Sequence, residues 1–384
     1  MRKGLALILV SVLAVVLFAG VGWAQAAQSS RVLIGFYGSP DPAAVEAAGG
    51  RVIHVYGIVP AVCAEVPSGA VEALRSHPAI RYVEPDGVCH ALAQTLPWGV
   101  NDVGSPYVCW HGNLGQGVRL AVLDTGVDMD HPDLSVLGGY DFYNNDEDPD
   151  DDHGHGTAVA GVAAALDNEV GPVGVAPQVD LYAVKVLGAS GSGPIGALVA
   201  GLDWCRSRGI NVVNMSLGTT VNYQTLEAAC QNAWNAGMVL AAAAGNGGTP
   251  GGGEDTVLYP ARYPSVIAVV ATDYFHARPS WSATGPSVEL SAPGVDIYTT
   301  AGGGGCTVAS GTSFSCPHVA AVACLVKCAH PSYPNLAIRE AMDSTAHDLG
   351  QPGWDPLYGY GLVWAPGAVS YGATPSDAVK ASGR

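Results

Sequence analysis

From residue 117 onward, short apolar runs alternate with longer segments of helical spacing, and this alternation restricts the fold more than any other feature. The apolar runs are VRLAVLD, QVDLYAVKVL, INVVNMSL, MVLAAAAG and SVIAVVA. Because they are continuous rather than alternating in polarity, they predict strands that are buried on both faces. The segments between them include HGTAVAGVAAAL, GALVAGLDWCRSRG, TLEAACQNAWNAG and CPHVAAVACLVKCAH. The sequence therefore predicts an α/β fold with a mostly parallel central sheet flanked by helices, and functional groups at the carboxyl ends of the strands.

The N-terminus has the three parts of a secretory signal peptide. Arg2 and Lys3 precede an apolar run at residues 5–18, and small residues follow up to Ala26. Such a run is short for a membrane span, so we expect cleavage after residue 26 and export rather than a retained anchor. After cleavage we expect no association with a membrane, and export makes disulfides permissible.

Residues 27–92 form a unit of different pattern. Strand-like RVLIGFY, RVIHVYGIVPAVCAEV and AIRYVEPDGV are interleaved with helical DPAAVEAAGG and GAVEALRSHP, which predicts a small α+β unit. Its place between a signal peptide and a large domain suggests a propeptide. A permanently attached accessory domain is the alternative.

Composition narrows the class of protein further. With 384 residues, 48% hydrophobic and 13% charged, the chain is globular, and its net charge of −17 argues against binding nucleic acid, whose phosphates such a surface would repel. The nine cysteines include no CxxC pair, so neither their pairing nor a redox role can be assigned. The eleven histidines include no HExxH motif, which makes a zinc site a poor interpretation.

Three polar residues stand where the predicted fold presents functional groups. Asp124 ends the strand VRLAVLD, His155 opens the helix HGTAVAG, and Ser313 lies at a Gly-Thr-Ser turn before another helix. A serine hydroxyl is a poor nucleophile until an imidazole accepts its proton, and the imidazole needs a carboxylate to hold it in the correct tautomer. Each residue alone could be a turn or cap residue. Together they supply every role needed for nucleophilic catalysis by serine.

The blocks VLDTGVD, HGTAVAG and GTSFSCPHVA resemble the three signature blocks of the subtilisin-like serine proteases, and the resemblance extends over residues 93–371. It implies that Asp124 orients His155, that His155 is the general base and then acid, and that Ser313 attacks the scissile carbonyl. Asn246, in the block AAGN, resembles the asparagine that stabilises the oxyanion in this family. His153 is the alternative base, although it lies outside the HGT block.

The same resemblance implies how a peptide substrate is bound. Substrates of this family add a strand to the protein, so backbone pairing supplies much of the affinity. Ser216, Leu217 and Gly218 are expected to pair with the acyl side of the substrate, while Leu187 and Gly191 shape more distant apolar subsites. In GGTPGGGEDTVLYP, Leu258 occupies a position where glycine is frequent in the family. The primary pocket is therefore expected to be apolar but shallow, which puts a preference for large aromatic residues in doubt.

The resemblance also predicts maturation from a proenzyme. The segment at residues 27–92 resembles the family's inhibitory propeptide, which assists folding and then occupies the cleft of its own protease. The junction before AQTLPWGV is the expected processing point, so the mature protein would begin at Ala93. The peptidase domain would then span residues 93–371, with a C-terminal tail at residues 372–384, and the protein is expected to be a monomer.

Two loops are predicted to bind Ca²⁺, which prefers six to eight oxygen ligands. The loop ALDNEVGPVG resembles the family's strong calcium loop, and the implied ligands are Gln94, Asp133, Leu166, Asn168, Val170 and Pro172. An ordinary turn is the alternative there. The loop YDFYNNDEDPDDDHGHG concentrates negative charge in a way that indicates a cation, with Asp141, Asp146, Asp148 and Asp150 as ligands, unless it is simply a solvated acidic loop.

The sequence thus predicts a secreted, calcium-stabilised serine endopeptidase that acts on proteins and peptides. A protein that keeps the fold for binding or inhibition is one alternative, and a serine hydrolase acting on esters or on one dedicated precursor is another. Cys316, three residues after Ser313, is expected to be a small packed side chain rather than a nucleophile. His318 is expected to be buried rather than catalytic.

Overall fold

The computed structural model describes residues 29–87 and 94–372. The predicted signal peptide, the cleavage point before Ala93 and nearly all of the predicted tail lie outside the described residues. The chain divides into two compact units, one before and one after residue 90. Each unit has a hydrophobic core of its own.

The first unit is an antiparallel sheet with two short helices. Its strands pair in the order β2-β3-β1-β4, and every pair is antiparallel. Asp41 caps the first helix by accepting hydrogen bonds from the amides of Ala43 and Ala44. The apolar faces of the strands enclose the core with the helices. The elements are β1 (Ser29–Phe36), α1 (Pro42–Ala47), β2 (Arg51–Val55), β3 (Ala61–Pro67), α2 (Val71–Arg75) and β4 (Ile80–Pro85), with a 3-10 turn at Ser68–Ala70.

The second unit is built around a seven-stranded sheet. Its strands are β5 (Arg119–Asp124), β6 (Val136–Asp141), β7 (Asp180–Lys185), β8 (Val212–Met215), β9 (Val239–Ala243), β10 (Ile267–Thr272) and β11 (Val288–Pro293), and a separate hairpin is formed by β12 (Ile297–Ala301) and β13 (Gly305–Ala309). Its helices are α3 (Trp98–Asp102), α4 (Ser105–Trp110), α5 (His155–Ala164), α6 (Ile195–Ser207), α7 (Gln224–Asn235), α8 (Thr312–Ala329), α9 (Asn335–Thr345) and α10 (Ala365–Ser370).

The strand order is β11-β10-β9-β8-β5-β7-β6, and all six neighbouring pairs are parallel. The predicted fold class, an α/β fold with a parallel sheet flanked by helices, is therefore confirmed. The order changes direction at β5, because the chain leaves β5 toward β7 and β6 on one side and later adds β8 to β11 on the other. Crevices for ligands form at the carboxyl ends of strands next to such a reversal.

The sheet is buried on both faces, as the continuous apolar runs predicted. Along β5, Leu120 and Val122 belong to a core shared with α5 and α8, whereas Ala121 and Leu123 belong to the opposite core under α6. All four side chains are fully buried. Each Å² of apolar surface removed from water contributes roughly 25 cal/mol to the stability of the folded state. The two cores therefore stabilise the positions of the strand ends.

Helix α8 runs through the larger of these cores. Among the described residues it is the one helix long and apolar enough to cross a membrane, with a mean hydropathy of 1.3, but 78% of it is buried inside the protein. Its composition therefore reflects a central position in the core. Its first residues lie at the carboxyl ends of the central strands, beside Ser216 and Asn246.

Candidate active site

Asp124 and His155 are brought together by the last residue of β5 and the first residue of α5. The Nδ1 atom of His155 lies 2.7 Å from Oδ1 of Asp124. Asp124 is fully buried, whereas about a quarter of the His155 side chain is exposed. The buried carboxylate thus holds one ring nitrogen and leaves the other edge of the ring directed away from Asp124, as required of a proton carrier.

The surroundings of His155 favour its protonated form. Burial lowers the pKa of the imidazole, but the charge and hydrogen bond of Asp124 raise it, and the charge of Asp151 raises it further, so that the net shift is upward. The Asp124 carboxylate is itself held by the amide of Thr125, 2.8 Å from Oδ1. An imidazolium that forms during proton transfer is therefore stabilised at this position.

Ser313 is the second residue of α8, and its environment is set by the proline four residues later. Pro317 has no N–H to donate to the Ser313 carbonyl, so that helical hydrogen bond is missing. The Ser216 hydroxyl supplies the missing donor, at 2.7 Å from the Ser313 oxygen, and it accepts in turn from Nδ2 of Asn214. The Ser313 hydroxyl donates to the Ser216 carbonyl at 3.3 Å. Ser216 and Ser313 are therefore joined by two hydrogen bonds.

The residue next to Ser313 in the chain lies near His155, and no hydrogen bond joins the side chains of Ser313 and His155. The rings of His155 and Phe314, the residue after Ser313, have centroids 5.8 Å apart. Hydrogen bonds between a nucleophile and its base are often long before substrate binds, so this arrangement is compatible with proton transfer in a complex. His153 lies with its ring centroid 6.3 Å from that of His155, but it makes no contact with Asp124 among the described side-chain hydrogen bonds.

Asn246 is held by its carbonyl oxygen. Its Oδ1 atom accepts hydrogen bonds from the amide and the hydroxyl of Thr312, at 3.0 and 2.9 Å. Its Nδ2 atom is consequently directed away from Thr312. A Cβ placed on Gly311 would lie 3.5 Å from this Nδ2 and 3.8 Å from the Ser313 amide nitrogen. Two N–H donors thus border one space that the glycine leaves open.

A cleft of about 550 Å³ lies beside these groups. Of the six predicted substrate-binding residues it contains five, namely Leu187, Gly191, Ser216, Leu217 and Gly218. Leu198 and Leu226 add apolar surface. The backbone groups of Leu217 and Gly218 make no backbone hydrogen bond within the described part of the chain, which leaves them available to an added strand.

Leu258, the sixth residue, fills the space between two glycines instead of lining this cleft. A Cβ on Gly218 would lie 2.9 Å from Cβ and Cδ1 of Leu258, and one on Gly245 would lie 2.8 Å from its Cγ. The backbone of Leu258 is held in place by a hydrogen bond, which its amide donates to the Ala244 carbonyl at 2.8 Å. The space between the backbone of Gly218 and Gly245, next to Asn246, is therefore occupied by a leucine side chain.

The first predicted calcium site includes an unpartnered buried carboxylate, Asp133, which lies outside the loop itself. Asp133 is 1% exposed, and neither of its oxygens has a hydrogen-bond partner. Burial raises its pKa to about 7. The loop lies against it, because a Cβ on Gly171 would lie 2.6 Å from Oδ2. Nε2 of Gln94 donates to the carbonyls of Leu166 and Pro172, at 2.6 and 3.5 Å, so these two oxygens already have a donor. The observation that fits a hard cation is therefore the buried Asp133 carboxylate, whose two oxygens have no hydrogen-bond partner among the described residues.

The remaining predicted ligands of that loop are Asn168 and Val170. They are tied together, because the Val170 amide donates to Oδ1 of Asn168 at 3.0 Å. Whether they join Asp133 around one ion stays a prediction.

The acidic loop does not form a comparable cluster. Asp141 accepts from the amides of Tyr143 and Asn144 and from the Asn144 side chain. Asp146 and Asp148 each accept from the amide two residues later, and Asp150 accepts from the amide of Met129. Within residues 29–87 and 94–372, no group of three or more acidic, histidine or cysteine side chains could hold a metal. These carboxylates therefore do not fit a ready site, and a calcium ion there stays a prediction.

Three residues that sequence analysis did not single out complete the site. Thr312 fixes Asn246, as described above. Lys185 ends β7 and is buried, and its ammonium group lies 2.5 Å from both the Thr125 carbonyl and Oδ1 of Asp152. Asp151 accepts five hydrogen bonds around the start of α5. The many aspartates before His155 indicated a calcium site, and the sequence did not distinguish Asp151 from its acidic neighbours.

The two reactive side chains near Ser313 are inert. Cys316 is fully buried, and burial raises the pKa of its thiol well above the ordinary value. His318 is also fully buried, and burial lowers its pKa to about 4, so the ring is neutral. Its Nδ1 lies 2.8 Å from the Phe314 carbonyl within the same helix. Both expectations, a packed cysteine and a buried histidine, agree with the structure.

Known proteins are similar in sequence to this chain over most of its length. A model of the subtilase family matches residues 115–361. A thermostable alkaline protease of Halalkalibacterium halodurans is 44% identical over 314 residues, which cover 82% of this chain and 84% of the relative. Alkaline elastase YaB of a Bacillus species is 43% identical over 83% of this chain and 82% of the relative, and subtilisin E of Bacillus subtilis is 41% identical over 82% of each. The chain therefore belongs to the subtilase family and is a serine endopeptidase.

Proposed function

We propose that this protein hydrolyses peptide bonds with Asp124, His155 and Ser313 as its catalytic residues. The observation that carries the proposal is the 2.7 Å contact between His155 and the buried Asp124, at strand and helix ends that also present Ser313. His155 accepts the proton of the Ser313 hydroxyl as the oxygen attacks the scissile carbonyl. It then donates that proton to the leaving amine, and water releases the acyl group by the same steps in reverse order.

Oxyanion stabilisation is assigned to Asn246 and to the Ser313 amide. Both N–H groups border the space above Gly311, and Thr312 prevents the Asn246 side chain from turning. Donors fixed in advance of the reaction stabilise charge without a cost of reorganisation. Loss of the Asn246 side chain is expected to lower kcat by roughly 10²–10³-fold.

The subsites favour a small residue on the acyl side of the scissile bond. A substrate strand paired with Ser216, Leu217 and Gly218 would direct its first side chain toward the space that Leu258 occupies. Alanine or glycine would fit there better than phenylalanine. The apolar part of the cleft, with Leu187 and Leu217, is left for a side chain farther along the substrate. We propose broad specificity apart from this preference for small residues, with the main apolar contact distant from the cleaved bond.

We propose further that the protein is secreted and matures from a proenzyme. Residues 1–26 would direct export and be removed, and residues 27–92 would assist folding and then act as an intramolecular inhibitor. The compact sheet at Ser29–Pro85, which forms a unit separate from the peptidase, supports this division. Cleavage before Ala93 by the protein's own active site would release a monomeric enzyme.

Calcium is proposed as a stabilising ion at the loop around Asp133, with Gln94, Leu166, Asn168, Val170 and Pro172. The ion would supply the positive charge that the buried carboxylate lacks. Asp141, Asp146, Asp148 and Asp150 remain a second, weaker proposal, because the first three already accept hydrogen bonds from their own loop and Asp150 accepts one from the Met129 amide.

The test is expression of the full chain and of a Ser313→Ala variant in a host that has signal peptidase but lacks secreted proteases. The parent should lose residues 1–92 and cleave casein, whereas the variant should lose only residues 1–26. Ser310→Ala is the matched control, because Ser310 is exposed, three residues away, and bonded to the Asp296 backbone. Removal of residues 27–92 from the Ser313→Ala variant would refute self-processing by this triad. An active Ser313→Ala enzyme would refute the assignment of the nucleophile.

A further inference from the structure

Asp151 accepts hydrogen bonds from both segments that carry the proposed catalytic residues, namely the end of β5 with Asp124 and the start of α5 with His155. Its Oδ1 atom accepts from the Thr125 hydroxyl at 2.8 Å and from the amides of His153 and Gly154 at 3.0 and 2.9 Å. Its Oδ2 atom accepts from the amide and hydroxyl of Thr157 at 2.8 and 2.6 Å. Five donors converge on one carboxylate, and together they saturate its accepting capacity.

These contacts close a ring around the Asp124–His155 pair. Thr125 follows Asp124, and its hydroxyl donates to Asp151 while accepting from the amide of Gly156, the residue after His155, at 2.9 Å. The start of α5 is therefore fastened to the end of β5 at two points besides the 2.7 Å contact of the catalytic side chains. A shift of α5 along the strand must break the bonds to Asp151.

The charge of Asp151 also acts on His155. His155 is the first residue of α5, where the free amides of the helix carry partial positive charge that disfavours an imidazolium. A carboxylate bonded to those amides offsets this effect, and Asp151 is one of the two carboxylates that raise the pKa of His155.

Other charged groups near His155 have different contacts. Asp124 is the catalytic partner, and the His153 ring lies 6.3 Å from that of His155. Lys185, the last residue of β7, donates to Asp152 and to the Thr125 carbonyl. Asp151 is thus the carboxylate that combines bonds to Thr125, next to Asp124, with bonds to the start of α5.

We infer that Asp151 is a positioning residue for catalysis, which holds His155 against Asp124 through its hydrogen bonds with Thr125 and with the start of α5. This inference rests on the proposed function of the triad and extends it to a carboxylate that never touches the substrate. Its loss should reduce the rate of proton transfer while leaving substrate binding in the cleft unchanged.

The experiment compares Asp151→Asn and Thr125→Val with the parent in hydrolysis of a peptide p-nitroanilide at several pH values. An asparagine can accept at one atom only and must direct its NH₂ group at donors, so Asp151→Asn should lower kcat about 10–100-fold with KM unchanged. The acid limb of its kcat/KM profile should move to lower pH, because the imidazolium loses one stabilising charge. Thr125→Val keeps the charge but breaks the bridge, so it should lower kcat without moving the acid limb.

Two controls separate this inference from a purely structural role. Glu147→Gln removes a charge from the same acidic loop at an exposed site and should leave rate and pH profile unchanged. Thr125→Ser keeps the bridging hydroxyl and should retain most of the parent rate. If the parent is active and a folded Asp151→Asn variant has the same kcat and the same acid limb as the parent, the proposed role of Asp151 is overturned. Absence of peptidase activity in the parent would instead refute the proposed function.

A measurement without turnover covers the case in which Asp151→Asn matures poorly. In the Ser313→Ala background, the pKa of His155 can be followed by proton NMR with and without the Asp151→Asn change. We expect the second substitution to lower that pKa. An equal or higher value in a folded protein would overturn the electrostatic part of the inference.

Discussion

Replacement of Leu258 by glycine should convert the enzyme from the proposed preference for small residues to acceptance of aromatic ones. The leucine side chain touches the backbone of both Gly218 and Gly245, so its removal opens the space between them. Leu258 provides the nearest atoms to a Cβ at either glycine, and the next nearest at Gly218 is the Tyr259 carbonyl oxygen, at 3.4 Å. The opened volume lies at Gly245, the residue before Asn246, where the first acyl-side residue of a substrate is proposed to lie.

The size of the effect follows from apolar burial. One methylene more or less in a hydrophobic pocket changes kcat/KM by roughly 10–200-fold. We therefore expect the ratio of kcat/KM for a phenylalanine substrate over an alanine substrate to rise by at least about 10-fold. The half-buried leucine also packs against the protein, so its loss should cost about 1–2 kcal/mol of stability, and the flexible glycine about 0.5–1 kcal/mol more.

The assay uses two tetrapeptide p-nitroanilides that differ only in the residue before the cleaved bond. Leu258→Met, which nearly conserves volume, should keep the preference for alanine. Leu187→Ala lies in the cleft of Leu217 and should change the response to the distant apolar residue instead. An unchanged ratio in a folded Leu258→Gly enzyme, as judged by circular dichroism, would show that Leu258 does not limit this subsite.

Three further outcomes are expected. Excess chelator should lower the melting temperature of the parent by about 5–10 °C if calcium is present at 100 times its Kd, and that shift should be absent from Asp133→Asn. Burial raises the pKa of Asp343 to about 8 in the folded protein, and the negative charge of Glu289 is the second largest cause of this increase. The folded state then binds the proton more tightly than the unfolded chain, so stability falls as pH rises from about 4 to about 8, and denaturant unfolding at pH 9 should find Asp343→Asn more stable than the parent. A phosphonate directed at the active site should label Ser313 and abolish activity equally in the parent and in Cys316→Ala, whereas resistance of that variant would implicate the thiol.

Sequence alone predicted the elements that rest on local patterns. The apolar runs became buried parallel strands because water exclusion on both faces requires continuous apolar sequence. Asp124, His155 and Ser313 lie at strand and helix ends, and parallel strands bring such ends to one edge of a sheet. These features follow from periodicity and from the position of polar residues after it.

The rest depends on contacts between distant segments or on the direction of a side chain. Asp151 could not be separated from its acidic neighbours by sequence, because its importance comes from Thr125 on another element. The cation predicted near Asp141 rested on charge density, and the loop's own amides already bind that carboxylate. Leu258 was identified by its position in the motif, but the two glycines that it contacts are separated by 27 positions in the chain, which no local pattern reveals.

We expect Pro317 to protect the enzyme from cleavage by other molecules of the same enzyme. A protease is cut by its neighbours wherever a segment detaches long enough to enter another active site. By leaving the Ser313 carbonyl free for Ser216, the proline ties the substrate-pairing segment to the core helix, and Asn214 holds the same hydroxyl from the sheet. We therefore expect the segment that is proposed to pair with substrates to resist cleavage by other copies of the enzyme.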